Sequence, residues 1–311
     1  MTAMKTKKTI DPIRQHIRHL RLIELTFHCE AQSAISFGPD MLKGNRLRGG
    51  LGHALRAVSC AMRPNAPCAP CTMKDKCFYY LGFEIDKPHP YLIRPVYDGK
   101  QSYKNGDAFS FSLVLIGDGI PYAYRFIKAF ELLGSQGIGR GRGQFLVRDV
   151  WPSAAHEASE FFTGARATRK RHTIRLLSPL RLEHEEQGLF SIDGPFPFLF
   201  FLRNLVNRIV NLNNLFGENA DYERTAVNTA IEELLRQAED IRCEENLSWF
   251  EGERHSARSR SQKPQKIEGF LGELRLHGDL KPFLPYLRIG EIIGAGSNTT
   301  IGFGRFEIRK Q

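Results

Sequence analysis

No run of this chain approaches the ~18 consecutive apolar residues that a membrane-spanning helix needs. The strongest, FPFLFFL at 196–202, is short and ends in Arg203. The opening MTAMKTKKTIDPIRQH has no apolar core of the signal-peptide kind, so a soluble, cytoplasmic protein is expected. Also missing is the GxxxxGK[ST] run with which a phosphate loop brings backbone N–H groups, a lysine and a magnesium-binding hydroxyl to a nucleotide. Acidic residues are in deficit: 34 Asp and Glu stand against 44 Lys and Arg, a formal charge of +10. That balance favours an anionic polymer as partner, nucleic acid first and an anionic membrane surface second. Cysteines number six in 311 residues, and they are not spread like a secreted disulfide framework.

What is present is an ordered succession of strand and helix patterns. LRLIELTFHC at 20–29 alternates as a strand does, and a helix pattern follows from Gly44 to Cys60. YLIRPVYDG and DAFSFSLVLIG read as strands joined by the turn-rich KQSYKNG, then IPYAYRFIKAFELLG as a helix closed by Gly134, then QFLVRDV as a strand. The order strand, helix, strand, strand, helix, strand is ferredoxin-like. The second half repeats it more weakly. HTIRLLSPLRLEH is strand, FLFFLRNLVNRIVNLNNLFG a helix ending at Gly217, and ERTAVNTAIEELLRQAED an inserted helix. ENLSWF and FLGELRLHG are expected as central strands, LKPFLPYLRIG as a short helix and GRFEIRK as the last strand. The fold class expected is α+β, two tandem ferredoxin-like domains at 1–150 and 172–311 with a cysteine-rich insertion at 60–77. The small and charged residues of 151–171 form the linker.

Two glycine-rich loops, GSQGIGRGRG and GAGSNTTIGFG, then fall at equivalent places, each between the second helix and fourth strand of its half. Such a loop lets backbone approach a ligand and clusters N–H donors, which suits phosphodiester oxygens. Gly137, Gly139, Arg140 and Arg142 in the first, and Ser297, Asn298, Gly302, Gly304 and Arg305 in the second, are the residues placed to hold a phosphodiester backbone. The alternative is that the glycines only permit tight helix-to-strand turns.

Four of the cysteines, Cys60, Cys68, Cys71 and Cys77, follow the spacing C-x7-C-x2-C-x5-C. In a reducing compartment that spacing suggests metal, either structural zinc or an iron–sulfur cluster, since four thiolates satisfy a tetrahedral zinc site and the same ligands hold a cluster. Cys29 and Cys243 stand alone and are expected to be small buried hydrophobes.

From about residue 20 to 311 the chain resembles the CRISPR-associated endoribonucleases that cut precursor CRISPR RNA, members of the RAMP superfamily. The likeness rests on the order of GNRLRGGLGHALR, CFYYLGFE, LGSQGIGRGRGQF, SWFEGERHSARS, FLGELRLHGDLKPFLPYLRIGE and the closing TTIGFGRFEI. One departure stands at the final loop. Many relatives carry a His-Gly-Lys type sequence there, where this chain has Gly294, Ala295 and Gly296. The resemblance implies metal-independent attack of a ribose 2′-hydroxyl on the adjacent phosphorus, leaving a 2′,3′-cyclic phosphate and a 5′-hydroxyl. Such chemistry needs a base, an acid and cations or N–H groups facing the growing phosphate charge.

Histidine titrates near neutrality and suits the proton transfers. On the 44–60 helix, Leu47, Leu51, Leu55 and Val58 share one face, while Arg46 and His53 align on another with Arg56 and Cys60 beside them. Because family members place their catalytic histidine on or near this helix, the resemblance implies His53 as the catalytic group, with Arg46 and Arg56 on the phosphate. Arg48 of the same helix is a further RNA contact. His255 is the competitor, in a loop with the phosphate-binding candidates Arg254 and Arg258; His16, His19 and His28 are weaker candidates. A solvated basic face without proton transfer is the plainer alternative for both. The implied partners are CRISPR repeat RNA and other CRISPR effector subunits, with no membrane and no small-molecule cofactor. A second function is a RAMP subunit that holds mature CRISPR RNA without cutting it; a third, a metal-dependent redox or structural protein built around the cysteines.

Overall fold

The computed structural model describes residues 11–62, 66–85, 88–139, 141–163, 171–186, 188–218, 223–254 and 265–310. The first sheet contains β1 (Arg21–Ala31), β2 (Tyr91–Pro95), β3 (Ala108–Ile116) and β4 (Phe145–Pro152), in the spatial order β2-β3-β1-β4 with every pairing antiparallel. The second contains β5 (Arg171–Leu180), β6 (Arg242–Arg254), β7 (Gln265–His277) and β8 (Phe306–Lys310), ordered β6-β7-β5-β8 and likewise antiparallel. The same spatial order thus occurs twice, as the repeated sequence pattern leads one to expect. Of the two runs read as central strands, only the second is central. ENLSWF lies in β6, an edge strand paired to β7 alone.

The helices follow the same logic, with informative shifts. α1 (Pro12–Ile17) precedes the first strand, α2 (Lys43–Ser59) follows it, and α3 (Ala123–Gln136) follows β3. α3 runs past Gly134, which is glycine for a different reason: a Cβ there would lie 2.3 Å from the carbonyl oxygen of Phe145. In the second half, α4 (Phe198–Phe216) ends at Gly217 as the pattern requires, α5 (Arg224–Ala238) is the inserted helix, and α6 (Leu284–Ile293) precedes the last loop. No described helix is long and apolar enough to cross a membrane.

Strand alternation decides what lies on each side of the first sheet. Leu25, Phe27, Cys29 and Ala31 of β1 face α2 and α3 and form one core with Leu47, Leu51, Leu55, Phe126 and Phe130. Val58, placed by its spacing on that apolar face, is exposed at the end of the helix. On the opposite face, Leu22, Leu92, Val114 and Ile116 join the core of the second half, packing with residues of α4, α5 and α6. α1 belongs to that core too. His16 is buried with Nε2 2.7 Å from Asn214 Oδ1, and the Tyr286 hydroxyl donates to Asp11 at 2.9 Å. The 151–171 stretch is tied down along its described part: Trp151 and Pro152 belong to β4, His156 and Glu157 pair with Leu22 and Arg21, and Ala158 is buried.

Candidate functional site

α2 carries Lys43, Arg46, Arg48, Arg56 and His53 and no Asp or Glu. Its start is fixed by burial of Lys43, whose ammonium lies 2.6 Å from Asp40 and 2.5 Å from Asp98 and donates to the Tyr103 hydroxyl at 3.2 Å. Burial opposes the charge on Lys43, but these hydrogen bonds outweigh it and hold the ammonium pKa above its ordinary value. Nothing in the sequence pattern marks Lys43 as buried.

Along the helix the basic residues divide. His53 is exposed and Arg46 half-buried, seven residues apart on one outward stripe. Arg56, expected beside them, is half-buried like Arg46 but engaged within the chain. It donates to the carbonyl of Ala66 and lies 5.6 Å over the Tyr79 ring. Arg48 is likewise engaged within the chain, 5.1 Å over the Phe83 ring and 3.3 Å from His89 Nε2. The aromatic residues of the CFYYLGFE segment are the reason: Tyr79 and Phe83 are buried with a guanidinium over each ring, a cation–π contact. His53 and Arg46 therefore remain as the pair that faces outward.

The arrangement of the cysteines does not support the metal expectation. Cys60, Cys68, Cys71 and Cys77 all line one cavity of about 210 Å³, yet no group of three or more His, Cys, Asp or Glu among the described residues is arranged to hold a metal ion. Cys68 and Cys77 pack against the first core instead, and burial pushes the Cys68 thiol up rather than toward thiolate. The cation that faces Cys60 and Cys68 is the Arg56 guanidinium. Cys29 is buried and Cys243 partly so, and burial raises both thiols to about 12.

The terminal glycine loop lies at the seam between the two sheets, packed on the start of α2 and on β2. Ile301 and Phe303 are buried with Leu42 and Ile267. Its donors are largely spent. Gly302 N–H donates to Thr299 (2.9 Å), Gly304 N–H to Pro179 (2.8 Å), Ser297 N–H to Arg181 (2.9 Å) and Gly296 N–H to Asn204 Oδ1 (3.0 Å). Asn298 takes a left-handed conformation at φ 61° to start the turn. Arg305 reaches across the seam to the carbonyl of Pro95 at 2.8 Å, and burial lowers its pKa. Gly302 and Gly304 thus spend their N–H groups within the chain, where they permit the seam. Gly302 has φ +90°, and a Cβ would stand 2.7 Å from Pro95 Cδ and 3.0 Å from the carbonyl oxygen of Ile93. Gly302→Val should therefore cost about 2 kcal/mol of stability or more, through a strained φ and overpacking. A melting temperature equal to wild type would show that the loop can step aside.

The first glycine loop is more open. Gly137 caps α3 at φ 84°, and Ile138 bridges Gly143. Gly139 is half-buried, with the carbonyl oxygen of Ser36 2.7 Å from where a Cβ would stand. Arg142 is exposed at φ 46°, free to meet a ligand. Arg140, His255 and Arg258 lie outside the described residues, and Arg254 ends β6.

Two seam residues escaped the sequence reading. The Arg94 guanidinium is buried, 2.8 Å from Glu24 and 2.6 Å from the carbonyl of Ile292, and also donates to the carbonyl of Glu291. It thus caps the C-terminal end of α6, where unpaired carbonyls favour a cation. Arg208 of α4 meets the same end from the other side, at Ile293. Arg175, exposed on β5, joins Arg94, Arg305, Tyr97, Ser112 and Met41 around a cleft of about 650 Å³ between the sheets. A lone charge in the otherwise apolar YLIRP was the available signal for Arg94.

Comparison with known proteins bears on both halves. A family described as an N-terminal domain matches residues 20–174, and the family described as CRISPR-associated endoribonuclease Cas6 matches residues 174–306. An uncharacterized protein of Archaeoglobus fulgidus is 25% identical over 284 residues, covering 86% of this chain and 91% of its own. Among solved structures, a Cas6 product complex aligns with a TM-score of 0.59 at 14% identity, covering 94% of this chain and all of that one. The Thermus thermophilus Cas6 structure aligns at 0.54 and 13% identity, covering 94% and 98%. A chain of a partial Cas6-RT-Cas1–Cas2 complex aligns at 0.61 and 13%, covering 94% of this chain and 46% of that one. Residues 174–306 thus match the Cas6 endoribonuclease family, and the fold along the chain is similar to that of solved Cas6 structures.

Proposed function

We propose that this chain is an endoribonuclease that binds CRISPR repeat RNA and cuts it by attack of a ribose 2′-hydroxyl, leaving a 2′,3′-cyclic phosphate and a 5′-hydroxyl. The two sheets with their helices are read as tandem ferredoxin-like domains at 1–150 and 172–311, joined through 151–171. The observation that carries the reading is α2: a helix without acid in which Arg48 and Arg56 are engaged with Phe83 and Tyr79, while His53 is exposed and Arg46 shares its stripe. His53 is the proton-transfer group, Arg46 neutralises phosphate, and Arg142 contacts backbone beyond them. The attacking group belongs to the substrate, so the step asks nothing of a metal. Solved relatives are Cas6 product complexes and an assembly with Cas1–Cas2, which supports repeat RNA and other CRISPR proteins as partners.

The test uses the purified protein and the repeat RNA encoded beside it, in EDTA. Cleavage with a cyclic-phosphate end is expected, while RNA carrying a 2′-deoxy nucleotide at the cut site binds and stays whole. Cutting of the deoxy substrate would sink the mechanism. A second reading, a subunit that holds mature CRISPR RNA without cutting, is favoured by the final loop, which has Gly294-Ala295-Gly296 and spends most of its amides internally. Tight binding without cleavage of any repeat RNA would select it.

A further inference from the structure

We propose that Gly49 is the floor on which the RNA backbone lies in front of His53, an inference that rests on the reading of α2 as the RNA-facing helix. α2 contains Gly44, Gly49, Gly50 and Gly52, and each weakens a helix interior because glycine surrenders more backbone freedom than alanine. Three of them answer to neighbours within the chain. A Cβ at Gly44 would lie 1.9 Å from the carbonyl oxygen of Ile301, at Gly50 2.4 Å from a Leu133 methyl, and at Gly52 3.0 Å from the Phe83 ring. Gly49 differs. A Cβ there meets nothing within 4 Å, its φ lies outside the left-handed region, and the residue is exposed. Neither packing nor backbone conformation in this chain asks for glycine at 49.

Its surroundings supply the reason. A helical side chain covers the turn N-terminal to its own Cα, so the patch covered by residue 53 is the turn around Gly49. Arg46 stands one turn before Gly49, and its side chain is directed to the start of the helix by the same rule. Between a group that can move a proton and a group that can hold a phosphate lies bare backbone, in a span of about 10 Å along the axis. A ribose can settle there with its 2′-hydroxyl toward the imidazole and a neighbouring phosphate toward Arg46. A methyl at 49 would stand more than 4 Å from any other side chain, in the open space that the sugar must enter.

Gly49→Ala is then expected to separate two quantities that usually move together. Its melting temperature should rise by about 2 °C, because alanine is the better helix former. Its single-turnover cleavage of repeat RNA should fall tenfold or more, and Gly49→Leu should fall further and bind RNA about tenfold more weakly. Ala57→Gly, one turn beyond His53 and also exposed, is the control: it should melt lower and cut as wild type does. A Gly49→Ala protein that is more stable, cuts as fast and binds as tightly as wild type overturns the proposal. A wild-type protein that neither binds nor cuts repeat RNA overturns the parent reading and this one with it. If wild type binds without cutting, unchanged affinity in Gly49→Leu overturns it.

Discussion

Arg94→Ala should lower the melting temperature by about 10 °C, the largest stability loss expected from a single side chain at the seam. The guanidinium is 11% exposed and meets Glu24, Glu291 and Ile292 at once, linking the first sheet to the end of α6. Burial pushes its pKa down to about 10, against the pull of Glu24, so at neutral pH it is still a cation and the ion pair is intact. Removing the guanidinium leaves Glu24, itself 29% exposed and partly hydrated, and the α6 carbonyls without their partner, at a cost of about 3 kcal/mol, the low end for a buried pair. Each kcal/mol moves the melting temperature of a protein somewhat smaller than this one by roughly 2–4 °C, which gives the figure above. Arg94→Lys should recover part of the loss, since a single ammonium can meet Glu24 but cannot also fork across two carbonyls. Thermal unfolding measures both. A shift of a degree or less in Arg94→Ala would mean that the apolar contacts of Leu22, Leu92 and Val114 hold the seam unaided.

The parts of the fold that were legible in the sequence are those whose signal is local. Strand alternation located β1, β3 and β4, and the 3.6-residue period located α2, α3 and α4, because burial of one face writes itself into spacing. Seam features were hidden, since the contacts that define them join residues some two hundred positions apart. The spacing of Gly302 and Gly304 reads equally as a phosphate cradle or a close approach to another strand; the position of Pro95 and Tyr97 decides for the latter. The same holds for the polar stripe of α2. Helical periodicity put Arg46 and His53 on one polar face with Arg56 beside them, but only the placement of Tyr79 and Phe83 separates the arginines engaged within the chain from Arg46. α1 went unread because a six-residue helix has too few turns to show a period, and its place on the second core follows from tertiary packing.

His53→Ala should reduce the single-turnover rate on repeat RNA by roughly 10²- to 10⁴-fold, the usual contribution of one acid–base group, with RNA affinity little changed. The reasoning starts from exposure. His53 is the histidine of α2, open to solvent, on a helix without carboxylates, where an approaching phosphodiester meets no repulsion. An imidazole there can take a proton from the 2′-hydroxyl or give one to the leaving 5′-oxygen, and either role acts in the transition state more than in the ground state. Arg46→Ala should behave differently. A guanidinium on phosphate acts before and during the reaction, so this variant should bind more weakly and cut more slowly, with a shallower salt dependence of binding because one fewer counterion is released. The two residues stand two helical turns apart, so they serve different groups of the substrate and their effects should combine nearly additively. Near wild-type cutting by His53→Ala would remove the histidine from the mechanism and pass the role to His255. If His255→Ala were then also unaffected, positioning of the reacting phosphate by arginines alone would remain, and the rate should show no titration near neutrality.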